Sequence, residues 1–154
     1  MISCFMIVKN VIKQGYPFAE AIASALPICD EFLISDGYST DGTFEALKQF
    51  SLLNKKIKIF RYEWPSKKSL TILAEVTNAL RERCRFEYIF YIQANEIVHE
   101  ANVDFIRALP EMLPEVYTFS FPYLHLIASY RFGEEFRLRF SKNTSGIVAT
   151  GDAW

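Results

Sequence analysis

The sequence is sparing in glycine, cysteine, net charge and long apolar runs, and each shortage excludes something. Six glycines occur in 154 residues and none is spaced G-x-G-x-x-G, so the turn that dinucleotide-binding folds place after their first strand is missing. Gly37 and Gly42 have the glycine spacing of a phosphate-cradling P-loop, but Thr43 stands where that loop needs lysine. The three cysteines, Cys4, Cys29 and Cys84, are scattered, odd in number and contain no C-x-x-C. They read as small core residues of a reducing compartment. A net charge of −1 gives no basic field for nucleic acid. No apolar run approaches the roughly 20 residues of a spanning helix. The longest charge-free segment, Val116–Tyr130, is interrupted by Pro122 and His125. The N-terminus runs straight into a strand pattern, so no leader peptide is expected.

What remains is a chain rich in core-forming residues. Half of it is hydrophobic, with 14 Phe and 8 Tyr. The length suits one domain with a sizeable core. Ile2–Val8 is a continuous apolar run, the pattern of a strand buried on both faces. Tyr16–Leu26 has helical periodicity, with Pro17 in its first turn and Pro27 as its stop. Phe32–Ser35 reads as a second strand, Thr43–Leu53 as a second helix and Lys56–Arg61 as a third strand. After a break at Trp64-Pro65, Ser69–Arg83 predicts a third helix and Glu87–Gln93 an aromatic fourth strand. Ala101–Leu113 predicts a fourth helix ending around Pro110 and Pro114. Val116–Pro122 and Glu135–Phe140 predict two more strands, and Ile147–Thr150 a short last one. This order implies an α/β fold: a mainly parallel sheet with helices on both faces and some antiparallel strands late in the chain.

The chemistry-bearing stretch is Phe32–Thr43, FLISDGYSTDGT. An apolar strand turns abruptly polar at Asp36, glycines allow the turn, and Asp41 is placed to cap the next helix. Ligands of open α/β sheets bind at such carboxyl ends. Residues 35–43 resemble the D-D-G-S-T-D-G-T signature of family 2 glycosyltransferases of the GT-A (Rossmann-like) fold. Gly37 replaces the signature's second Asp and Tyr38 its Gly. The resemblance implies that Asp36 contacts the base of a nucleotide-sugar donor. It implies that the backbone of Ile7, Val8 and Lys9 lies along that base. Asn78 matches the Asn of the family's R-N element beside the donor pocket, with Thr77 where the Arg would be.

Gln93-Ala94-Asn95-Glu96 stands at the place of the family's D-x-D motif and is close to a Q-A-D-E subgroup. Residues two apart on a strand face the same way, so one can reach the donor ribose and the other a diphosphate-bound ion. The resemblance thus implies Gln93 at the nucleotide, and Asn95 and Glu96 at a divalent cation (Mn²⁺ or Mg²⁺), with His99 as a further ligand candidate. Asn95 offers oxygen without charge, so weak or donor-dependent metal binding is expected. Thr150-Gly151-Asp152-Ala153 resembles a subgroup G-D-A motif that follows an R-x-R strand, here Arg137 and Arg139. Asp152 is the implied general base, with Glu134 and Glu135 as alternatives. His125 is a candidate contact for acceptor or phosphate.

The expectation is a single GT-A-like domain over residues 1–154, minimal or truncated at its C-terminus. Its partners would be a nucleotide-diphosphate sugar and a glycan, lipid or protein acceptor, in the cytoplasm or peripheral to a membrane. Sugar-nucleotide pyrophosphorylases open with a Gly-rich arm that this chain does not have. The rival expectation is a non-catalytic nucleotide-sugar or glycan-binding module with a decayed metal site.

Overall fold

The computed structural model describes residues 1–64, 71–127 and 130–151, without the side chains of residues 126–134. The expected start of the third helix at Ser69, the side chain of Glu134, and Asp152 lie outside the described residues.

β1 (Ile2–Val8) is buried at every position, as its unbroken apolar run requires. Its side chains alternate between two cores. Ile2, Cys4, Met6 and Val8 face one, and Phe5 and Ile7 the other. α1 (Phe18–Ala25), β2 (Glu31–Asp36), α2 (Thr43–Leu53) and β3 (Ile57–Arg61) follow, then α3 (Ile72–Arg81) and β4 (Tyr88–Tyr91). α4 (Val103–Met112) precedes the hairpin of β5 (Thr118–Ile127) and β6 (Tyr130–Lys142). The strands form one sheet in the order β3-β2-β1-β4-β6-β5. β3, β2, β1 and β4 run parallel, while β6 lies antiparallel to β4 and to β5.

Helices cover both faces, giving an α/β/α sandwich. α1, α2 and α4 bury Ala21, Ile22, Leu47, Ile106 and Leu109 against the first core. α3 buries Val76 and Leu80 against Phe5, Leu33 and Ile89 in the second. Each fully buried Ile, Leu or Phe in such a core contributes roughly 1.5–3 kcal/mol of apolar burial. The three cysteines are buried and unpaired. Among the described residues no helix is long and apolar enough to cross a membrane.

Two expectations about strands are corrected, while the fourth helix runs over Val103–Met112, within two residues of its expected bounds, with Pro110 inside it. Proline's fixed φ is itself helical, and a missing donor near the last turn costs one hydrogen bond while Ile106 and Leu109 hold the helix down. β5 passes through Pro122 instead of stopping there. It is an edge strand with two register irregularities, the setting in which a sheet tolerates proline. Residues 147–150 form no strand. The main chain of Ala149 bonds the Asn78 side chain of α3 instead of a strand.

The sheet order positions the site. The chain builds outward from β1 to β2 and β3, then returns to β1's other side as β4. The strand order therefore reverses between β1 and β4, and the crevice beyond their carboxyl ends is where open α/β sheets bind ligands.

Candidate functional site at the carboxyl edge of the sheet

Two loops meet where β1 and β2 end. Val8 pairs with Asp36 in the β1–β2 register, and Asp36 with Arg61 in β2–β3. The Gly37 amide donates to the Val8 carbonyl (2.8 Å). The Asn10 amide donates to Ser39 Oγ, and the Thr40 amide to Asn10 Oδ1, both at 2.8 Å. Asp41 accepts from the amides of Lys13 (2.8 Å) and Thr43 (3.1 Å). Burial alone would raise the Asp41 carboxyl, but the hydrogen bonds from Thr43 and Lys13 outweigh it and hold the group below its usual range. The polar residues of 35–43 thus sew the exit of β2 to the exit of β1. Asn10, Ser39 and Thr43 are structural members of the site that sequence reasoning passed over.

Asp36 is wholly buried. Its two oxygens accept from the Ser39 amide (3.2 Å each), and Oδ2 also from Arg61 Nε (3.2 Å). An ionised carboxylate has about four acceptor positions, so Oδ1 retains one. The Arg61 guanidinium lies between the rings of Tyr38 (4.1 Å) and Phe44 (4.2 Å). Tyr38 occupies left-handed backbone, φ 57°, where a glycine would sit without strain, and its ring stack with Arg61 holds it there.

Gly37 is required by what packs on it. A Cβ there would come within 2.6 Å of Trp64 Nε1. Trp64 lies beyond β3, its Nε1 is buried with no hydrogen-bond partner among the described residues, and Lys9 Nζ sits 5.6 Å from its ring centroid. An indole therefore lines the exit of β2 on the side where Lys9 leaves β1. In the sequence Trp64 signalled only a chain break.

The loop after β4 carries Gln93–Glu96. Gln93 is half-buried and Asn95 exposed. Glu96 is buried and belongs to an ion pair: Arg139 of β6 reaches both its oxygens, at 2.6 Å from Nη2 and 3.0 Å from Nε. Glu96 Oε2 also accepts from the Gln93 amide (3.0 Å). Arg139 stacks on Tyr91, 5.3 Å from the ring centroid. His99 is exposed and accepts from the Ala101 amide (3.2 Å), capping the short turn before α4. Among the described residues no group of three or more His, Cys, Asp or Glu side chains is placed to hold a metal ion. The donor set does not fit a protein-held divalent ion, because Glu96 is committed to Arg139 and Asn95 is uncharged.

Asn78 of α3 bonds the main chain of Ala149 in both directions, donating at 2.9 Å and accepting at 2.8 Å. The β5–β6 hairpin holds Glu135 with Arg137 and with His125 (3.5 Å), and Arg137 lies 4.6 Å from the Tyr123 ring centroid. A cavity of about 60 Å³ touches the site between Ser35, Arg61 and Leu80. A larger one, about 570 Å³, lies at the opposite, amino edge of the sheet between Asp30, Tyr88 and Arg107.

No family model and no curated protein matches the chain. Solved structures do. S. aureus TarS 1-349 aligns with a TM-score of 0.57 and 16% identity, over 72% of this chain and 32% of that one. Its complex with UDP-GlcNAc aligns at 0.56 and 18%, over 72% of this chain and 31% of that one. The mannosyltransferase PcManGT from Pyrobaculum calidifontis, in complex with GDP-Man and Mn²⁺, aligns at 0.57 and 15%, over 76% of this chain and 34% of that one. The chain spans about a third of the length of these neighbours. The architecture, a mostly parallel sheet in an α/β/α sandwich with antiparallel strands toward the C-terminus, is a GT-A-like fold shared with glycosyltransferases.

Proposed function

We propose that the chain is the donor-binding part of a family 2-type glycosyltransferase, which moves a sugar from a nucleotide-diphosphate sugar to an acceptor hydroxyl with inversion. One observation carries this reading. The Asp36 turn and the Gln93–Glu96 loop stand at the exits of β2 and β4, on the two sides of β1, in a fold shared with enzymes solved with UDP-GlcNAc and GDP-Man. In this reading the base lies along Ile7–Lys9 and meets the remaining acceptor position of Asp36 Oδ1. Gln93 bonds the ribose, and Asn95 faces the diphosphate. A divalent ion is retained mainly by the donor's own phosphates, and no step is assigned to it. The acceptor hydroxyl attacks the anomeric carbon in line with the departing nucleotide. The candidate base that takes its proton is Asp152, with Glu134 and Glu135 as alternatives.

A second reading is favoured by the Glu96–Arg139 pair together with the uncharged Asn95: a nucleotide-sugar or glycan-binding module without turnover. Release of nucleoside diphosphate from UDP-GlcNAc or GDP-mannose separates the two, measured with Mn²⁺ and again with EDTA. The transferase reading expects release above the uncatalysed background with at least one donor. Binding without release under every condition would establish the module instead.

A further inference from the structure

The face of α3 away from the second core does not meet solvent freely; it holds down the last part of the chain. Asn78 makes two hydrogen bonds to one residue, Ala149, through its amide nitrogen (2.9 Å) and its amide oxygen (2.8 Å). This is the pairing a neighbouring strand would offer, supplied by a side chain across 71 residues of sequence. One turn further along α3, Arg81 donates from Nη1 to the Thr144 carbonyl (2.9 Å). Asn143 in turn donates to the carbonyls of Cys84 (3.0 Å) and Phe86 (3.3 Å), just beyond the helix. Residues 143–149 are thus strapped to α3 and its C-terminal turn at three points, and the Asn78 point is the last before Gly151.

An asparagine in mid-helix usually bonds locally or to water. Here one donor and one acceptor of the carboxamide both go to the main chain of a single residue, Ala149. The geometry points to Asn78 as a positioning residue: it clamps the main chain of Ala149 and so fixes residues 143–149 against α3. The consequence for transfer rests on the proposed function above; the clamp itself does not.

The test uses the full chain and reads the two parts separately. Amide hydrogen exchange is followed by NMR in wild type, Asn78→Ala and Ala149→Pro. The proline removes the donor to Asn78 without touching the helix. In Asn78→Ala the Ala149 amide should exchange about tenfold faster, the scale of one lost partly buried hydrogen bond. The Ile92 amide, bonded to Phe5 in the sheet, should be unchanged. Affinities for UDP and GDP should stay within about threefold in both variants. With a donor that the wild type turns over, kcat should fall at least about tenfold at nearly constant KM. Ala149 protection unaltered in Asn78→Ala would overturn the clamp. Weaker UDP or GDP binding with Ala149 protection intact would return Asn78 to the donor pocket. If the wild type turns over no donor, the proposed function fails, while the exchange measurement still decides the clamp.

Discussion

Single residues show how position overrides type. Glu31 is an acid at the first position of β2, almost wholly buried, yet fully satisfied. It accepts from Ser3 Oγ (2.8 Å), Lys58 Nζ (2.9 Å), and the amide (2.9 Å) and Nε (2.8 Å) of Arg85. Burial alone would raise its pKa, but these partners outweigh it and bring it to about 2. A carboxyl depressed on folding stabilises the protein above its unfolded pKa, near 4.5, and that contribution disappears as pH falls toward 2. The shift corresponds to about 3 kcal/mol. Glu31→Gln should therefore be less stable than wild type by about 2–3 kcal/mol at pH 7, with the gap closing below pH 4. Urea titrations of both proteins from pH 7 to pH 2 measure it, and parallel curves would show that Glu31 carries no such linkage. None of this was legible in the sequence, where Glu31 merely flanked an apolar run and its partners lay 27 to 54 residues away.

At the scale of elements, apolar runs and helical periodicity carried most of the fold. β1 and α2 have the boundaries their sequences predict, because a run buried on both faces and a helix with one apolar stripe each leave an unambiguous pattern. The hairpin did not: β6 runs over 13 residues, beyond the alternating Glu135–Phe140 stretch, since its far half pairs only with β5. Ile147–Thr150 looks like a strand by composition, but its main chain at Ala149 pairs with the Asn78 side chain, a partner 71 residues away that the local pattern does not show. The Gln93–Glu96 loop was recognisable by place, but its chemistry was not, because the partner of Glu96 lies 43 residues away on β6. This pair gives a prediction. Removing one partner leaves a buried charge, so Arg139→Ala should cost about 3–5 kcal/mol. Replacing both, as Arg139→Met with Glu96→Leu, should recover most of that loss. Freed from Arg139, Glu96 should also bind Mn²⁺ more tightly in Arg139→Ala than in wild type. Denaturant midpoints and Mn²⁺ calorimetry check both parts. A stable Arg139→Ala protein with unchanged metal affinity would contradict the assignment of Glu96 to the ion pair.

For the whole molecule, the order of strands matters more than any one residue. A sheet that grows outward from β1 and returns to β1's other side creates its crevice at the carboxyl end, where the Asp36 turn, the Trp64 indole and the Gln93–Glu96 loop gather. The sequence showed two of these three, and Trp64 became part of the site only through its packing on Gly37. The larger cavity lies at the amino edge, lined by Asp30, Glu87, Arg107 and Lys142, so the two ends of the sheet make opposite claims on a ligand. Titrating ¹⁵N-labelled protein with UDP-GlcNAc and GDP-mannose decides between them. The account predicts that at least one donor shifts the amides of Val8, Asn10, Gly37, Gln93 and Asn95 and leaves those of Ile2, Asp30 and Arg107 in place. Shifts confined to the amino edge, or none at millimolar donor, would contradict it.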